Sequence, residues 1–261
     1  MVEVTGAAAV VGAAILVGKQ VLGPTIQQFG KDLEAVYSAW RAENFKRILE
    51  RAARRKPSGD SGVHPRVAHE VLDAGSWVND DVQQEYLAGL LNSARSPDGQ
   101  DDGMAYLARI AANMTALQTR VHNAIYSALP RSVEPEGGEW PRPFAFHATL
   151  GFTVTTDLAD FEAAVGNHGV KIVDAFNALN RDGLLVDFGH GLAIQGGPVN
   201  MKYVWAMPTA LGARLYLTAR GSGMRPADDI LQLSREQLDT FDPEPPRLQR
   251  AKVGRSPERA Q

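Results

Sequence analysis

Val4 to Gly18 (VTGAAAVVGAAILVG) is an uncharged, small-residue run near the start of a 261-residue chain, with Gly6, Gly12 and Gly18 six apart. As a helix its fifteen residues are about 22 Å long, against roughly 30 Å of bilayer hydrocarbon. Extension to Leu22 brings it to about 28 Å and takes in Gln20 and Lys19, a side chain long enough to snorkel. Glu3 precedes the run and no Lys or Arg does, so the charged start of a secretory leader is missing. Residues 1–23 are therefore set apart as an apolar segment with three readings: a buried first helix, a reversible membrane anchor, or a cleaved leader. If the segment meets lipid, Gly6, Gly12, Ile15, Leu16, Val17 and Gly18 are the candidate contacts.

Gly23-Pro24 breaks the run and opens a helix. Ile26, Phe29, Leu33, Val36, Tyr37, Trp40, Ile48 and Leu49 recur mostly at three- and four-residue steps, which predicts one amphipathic helix to about Arg55. Its second half holds Arg41, Lys46, Arg47, Arg51, Arg54 and Arg55, with Lys56 beyond. Two readings apply to this basic stretch, which also contains Glu43 and Glu50. It is a solvated face whose cations suit a helix C-terminus, or it lies on anionic lipid or nucleic-acid phosphates. At a lipid surface each well-placed cation contributes roughly 1 kcal/mol. The net charge of −3 supplies no global attraction to either polyanion.

Further helices are expected from His64 to Asp73, from an Asn79-Asp80-Asp81 cap to about Arg95, and from Met104 to Leu129 with a break near Asn113 to Thr115. Residues 24–130 then form a helical domain, and 131–143 a Pro- and Gly-rich linker. In 144–240 the pattern is a strand to Thr156, a short helix capped by Asp157, a helix from Val170 to Asn180, a Gly-rich hairpin between strands 184–188 and 201–207, and a closing helix from Pro208 to Arg220. That order looks like a winged-helix-like α+β module. Residues 241–261, rich in Pro and charge, read as a disordered tail. The fold class expected is mainly α: long N-terminal amphipathic helices followed by a degenerate winged-helix-like module.

The chain offers little catalytic chemistry. With no cysteine it has no disulfide, thiolate nucleophile or Cys-based zinc site, which fits a reducing cytoplasm. His64, His69, His122, His147, His168 and His190 include no pair at zincin spacing. Asp80-Asp81, Asp101-Asp102 and Asp228-Asp229 sit in turns or at helix starts, where Asp caps backbone N–H groups. Gly189-His190-Gly191 leads into a strand, not the helix a phosphate loop requires. No cofactor, metal or catalytic residue is assigned. Lys171, Asn177 and Asn180, beside Asp174, make Val170 to Asn180 a poor groove reader.

Several strings resemble the Abi-alpha family, the abortive-infection alpha proteins of bacteria. They are Leu22-Gly23-Pro24-Thr25, Gly30-Lys31-Asp32-Leu33, Phe45-Lys46-Arg47-Ile48-Leu49-Glu50-Arg51-Ala52, His64-Pro65-Arg66-Val67, and Asp81 to Ala94 with its Leu90-Leu91 pair and Pro97 soon after. Leu179, Gly183-Leu184-Leu185 and Thr209-Ala210-Leu211-Gly212 extend the resemblance to about Arg220, while Arg131 to Phe152 stands as an insertion. The resemblance implies antiphage defence by abortive infection and brings no catalytic residues. Three functions follow: a cytoplasmic defence protein that perturbs the membrane through its N-terminus, with an anionic inner leaflet and a second copy as partners; a winged-helix nucleic-acid-binding regulator; and a non-catalytic scaffold.

Overall fold

A computed structural model of the chain describes residues 24–55, 62–132, 150–166, 170–192, 202–223, 225–227, 229–232, 238 and 241–255. The apolar segment 1–23 and Lys56 lie outside them. Helix α1 spans Pro24–Arg54, with Arg51 and Arg54 in its last turn. Asn44, Ile48, Ala52 and Arg55 recur every three or four residues and are buried, a stripe that faces α2 (Pro65–Ser76) and α3 (Asp81–Ser93). The His64 ring accepts the Arg66 N–H at the start of α2, and the Asp80 carboxylate accepts the Gln83 N–H at the start of α3. Strands β1 (Gly62–Val63) and β2 (Arg95–Ser96) pair antiparallel across the base of these helices.

Helix α3 carries Val82, Tyr86, Leu87, Leu90 and Leu91 at spacings that predict one apolar face, but its burial extends all round. Every residue from Val82 to Leu91 is buried, because α1, α2, α4 (Ala105–Asn113), α5 (Ala116–Ser132) and α8 (Ala210–Ala219) pack around it. A helix enclosed on all sides must satisfy its polar side chains internally. The Gln83 amide donates to the Met114 carbonyl and the Gln84 amide to the Val78 carbonyl. Gly89 is the closest approach to α8: a Cβ there would lie 1.8 Å from the Ala219 carbonyl oxygen. Only glycine lets the two backbones meet at that distance.

The break between α4 and α5 falls at Met114-Thr115, as expected. Thr115 Oγ1 accepts the Gln118 N–H while Gln118 Oε1 accepts the Thr115 N–H, a reciprocal capping box. Helix α5 then continues through Pro130 to Ser132, and the remainder of the expected linker, from 133, lies outside the described residues. The missing proline donor falls in the last turn, where few intrahelical bonds remain to lose.

The C-terminal part runs β3 (Phe152–Asp157), α6 (Leu158–Val165), α7 (Val170–Arg181), β4 (Leu185–Leu192), β5 (Lys202–Pro208), α8, a short α9 (Asp229–Gln232) and β6 (Lys252–Arg255). Asp157 caps α6, Thr209 caps α8, and Gly183, with φ 73°, ends α7 in the left-handed region. Four strands form one antiparallel sheet in the order β4-β5-β3-β6. Phe152, Val154 and Thr156 alternate inward along β3. Helix α5 packs on α6 and α7 as well as on α3, and α8 packs on α3 and α5. The buried apolar residues from Ile48 to Leu248 accordingly form one cluster, without the separation expected between 24–130 and 144–240.

The disordered tail expected from 241 is corrected over 241–255. Phe241 and Leu248 are buried, and β6 pairs with β3 from Phe152↔Arg255 to Thr155↔Lys252. Two apolar anchors and an available sheet edge outweigh a polar, proline-rich composition. The molecule is mainly helical with small antiparallel sheets. Among the described residues no helix is long and apolar enough to cross a membrane.

Candidate functional site

Glu85 lies in the enclosed part of α3, and its side chain is only 2% exposed. Three guanidinium groups, two from the last turn of α1 and Arg55 just past it, meet it. Arg55 approaches Oε2 at 2.7 Å, and Arg51 and Arg54 approach Oε1 at 2.8 and 3.1 Å. Successive helical turns place these arginines on the α3 side of α1, since positions 51, 54 and 55 are three and four residues apart. The surplus donors find other acceptors. Arg51 pairs with Asp81 at 2.6 Å, Arg54 pairs with Asp242, and Arg55 donates to the Ala219 carbonyl at 3.1 Å.

A second buried cation continues the cluster. Arg220, just past α8, holds Glu244 with both terminal nitrogens at 3.0 and 3.1 Å, donates to Asn123 Oδ1, and stands 3.8 Å over the Phe241 ring. Bidentate geometry and the ring face compensate a guanidinium deprived of water. α1, α3, α5, α8 and the segment after Phe241 are thus tied by ions, not only by apolar packing.

Of the two readings of the basic helix, this arrangement bears on the anionic-surface one by giving its cations acidic partners within the molecule. Arg55 is buried, and Arg51 nearly so. Arg41 pairs with Asp73 at 3.0 Å, Arg47 with Glu43 at 3.2 Å, and Lys46 with Glu50 at 3.8 Å. Every described member of the set therefore has an acidic partner. A cleft of about 730 Å³ beside it is lined by Arg47, Arg51 and Arg54 and equally by Glu50, Asp81 and Asp242. Three cations against three anions leave little field to attract lipid headgroups or phosphates. The pairs of Arg47 and Lys46 lie within α1 at i,i+4 spacing, but the acids of Arg41, Arg51, Arg54 and Arg55 come from α2, α3 and the segment at Asp242, which no local pattern reveals.

Next to this cluster, His122 of α5 is fully enclosed. Its Nδ1 lies 2.9 Å from the Tyr86 hydroxyl, and its ring stacks on Tyr126 at 4.4 Å between centroids. The Tyr126 hydroxyl donates to the Leu184 carbonyl and accepts the Thr209 N–H at 2.9 Å, joining α5 to the turn before β4 and to the start of α8. Burial pushes the His122 pKa down to about 3 and holds both tyrosines above the usual phenol range. These groups are buried, neutral and stacked, so they serve as a polar keystone. His64 is a helix cap and His69 is exposed. His147 and His168 lie outside the described residues.

The depressed histidine pKa has a pH consequence. The unfolded chain takes up a proton below about pH 6.5, while the folded chain resists it until about pH 3. Stability therefore falls as pH drops through that window, by about 1.4 kcal/mol per pH unit from this one group. Urea unfolding of His122→Gln at pH 7, 5.5 and 4.5 is expected to show a flatter pH dependence than the parent. Equal slopes would exclude the histidine as the source.

On α7, Val170, Lys171, Asp174 and Asn177 are exposed. The Asn180 amide is taken by the carbonyls of Leu185 and Val186, and Arg181 pairs with Asp182. Gly6, Gly12, Ile15, Leu16, Val17 and Gly18 lie outside the described residues. No protein-family model, curated protein or solved structure matches the chain.

Proposed function

We propose that the chain is an abortive-infection protein of the Abi-alpha type that acts at a membrane through its apolar N-terminal segment. The observation that carries this reading is the construction of α1. Its second half is locked into the core by Asn44, Ile48, Ala52 and the Glu85-bound arginines, while its first residue, Pro24, follows in sequence on the segment 1–23 that holds the apolar run. Tyr37 and Trp77, 50% and 51% exposed, sit beside the helix between these two ends. A core-anchored helix that an apolar stretch of sequence precedes, with exposed aromatics along it, suits an interfacial anchor, in which amphipathic rings settle at headgroup level. The internally paired arginines argue that apolar contact, not charge, supplies the affinity. Glycines and alanines would let such segments from several copies pack closely once in lipid.

Liposome flotation tests this reading. The full-length chain is expected to float, and the chain lacking Val2 to Gly23, folded by circular dichroism, is expected to stay behind. Yields on zwitterionic and anionic vesicles should be similar, because the described cations of the basic stretch are already paired. If neither form floats, the membrane reading fails.

A second reading has one observation in its favour. The order α5, β3, α6, α7, β4, β5, with β5 between β4 and β3 in the sheet, is the arrangement expected of a winged helix. That supports a winged-helix-like module and with it a nucleic-acid-binding regulator. On this reading α7 is the reading helix, and its exposed Lys171 and Asn177 stand beside Asp174. Duplex binding that weakens steeply with salt and is unaffected by deleting Val2 to Gly23 would favour it.

A further inference from the structure

We infer that in the resting protein the apolar segment folds back along α1 and docks on the aromatic patch of Tyr37, Trp40 and Trp77. This rests on the membrane reading above and supplies its resting state. The three rings form one group, with Tyr37 and Trp40 6.5 and 6.1 Å from Trp77 between centroids. The patch is held firmly in place. The Arg41 guanidinium stands 4.4 Å over Trp77, donates to Ser76 Oγ at 3.0 Å and pairs with Asp73, while the Asn44 amide donates to the Ser76 carbonyl. Beside Trp77 a cleft of about 550 Å³ is lined chiefly by small or apolar side chains, among them Ala74, Val78, Ala112, Met114 and Ala116. Half-exposed aromatics in a fixed cluster beside an apolar cleft mark a surface that something covers.

Length and position identify the occupant. The chain before Pro24 is 23 residues, and Gly23-Pro24 provides the break at which a helix can reverse. Along α1, Tyr37 is about 20 Å and Trp40 about 24 Å from Pro24. A helix over Val4 to Leu22 is about 28 Å long, so an antiparallel return reaches both rings. Counting back from the break places Ala9 and Val10 level with Tyr37, and Gly6 and Ala7 level with Trp40. A run of Gly, Ala and Val can approach a facing helix closely, leaving room for three large rings. Docked in this way the segment hides its apolar surface, and membrane engagement requires its release.

The chain has no cysteine, so engineered pairs report without background. In the full-length protein without lipid, the pair Ala9→Cys and Tyr37→Cys is compared with Ala9→Cys and Val170→Cys under a short bismaleimide. Val170, on α7, is 76% exposed and serves as the reference position. The Tyr37 pair is expected to give roughly tenfold more internally cross-linked monomer, reflecting a high local concentration. Trp77→Ala is expected to lower that yield severalfold. Equal yields for the two pairs, an unchanged yield with Trp77→Ala, or a covalent dimer in place of the monomer would each overturn the docking. Cross-linking without flotation keeps the docking and removes the membrane role. Flotation without cross-linking does the reverse.

Discussion

Glu85→Ala is expected to destabilise the protein by about 3–5 kcal/mol, the usual cost of stranding buried charges without their partner. The carboxylate is the shared acceptor for Arg51, Arg54 and Arg55, and two of these are withdrawn from water along with it. Without Glu85, Arg51 retains Asp81 and Arg54 retains Asp242, both more exposed acids, whereas Arg55 keeps carbonyl contacts in the interior. Glu85→Gln should recover only part of the loss, since an amide brings one acceptor oxygen to a site built for two. The surface pair Lys46–Glu50 provides the contrast: its removal should change stability by less than about 1 kcal/mol. Urea unfolding at pH 7 measures all three variants. Similar midpoints for Glu85→Ala and Lys46→Ala would show that the cluster is energetically no different from a surface pair.

Removal of residues 241–261 is expected to abolish the cooperative unfolding transition. Phe241 and Leu248 are buried, and losing each costs about 1.5–3 kcal/mol of apolar burial. Arg220 would lose Glu244 and the Phe241 ring together, Arg54 would lose Asp242, and β3 would lose its partner β6. Breaking the buried Arg220–Glu244 pair alone carries a penalty of about 3–5 kcal/mol. The sum reaches the whole stability of an ordinary domain, about 5–15 kcal/mol. Circular dichroism and urea titration of the shortened chain provide the check. A sharp transition near that of the parent would show the segment to be dispensable, as a disordered tail is.

Local signals carried the helices well. Pro24, the Asp80 and Asp157 caps, the Thr115 and Gln118 box, and Gly183 act within three or four residues, so their chemistry is visible wherever the chain is read. The strand–helix–helix–strand–strand order was readable for the same reason. β6 was not, because its only distinction is the free edge of β3, a hundred residues earlier in the chain. The all-round burial of α3 was hidden as well: nothing in the polar run Gln83, Gln84 and Glu85 marks it as interior, and only the surrounding helices make it so.

The basic stretch shows most clearly where each kind of information ends. Its sequence determined that Arg51, Arg54 and Arg55 share one face near a helix C-terminus, because helical spacing is a property of the local backbone. Whether that face meets a polyanion or the protein's own acids depended on where Asp81, Glu85 and Asp242 come to lie. The sequence alone likewise marked 1–23 as an apolar segment and excluded thiol chemistry. Tertiary packing alone decided that the arginines are spent internally, since charge neutralisation acts through space and is blind to order along the chain.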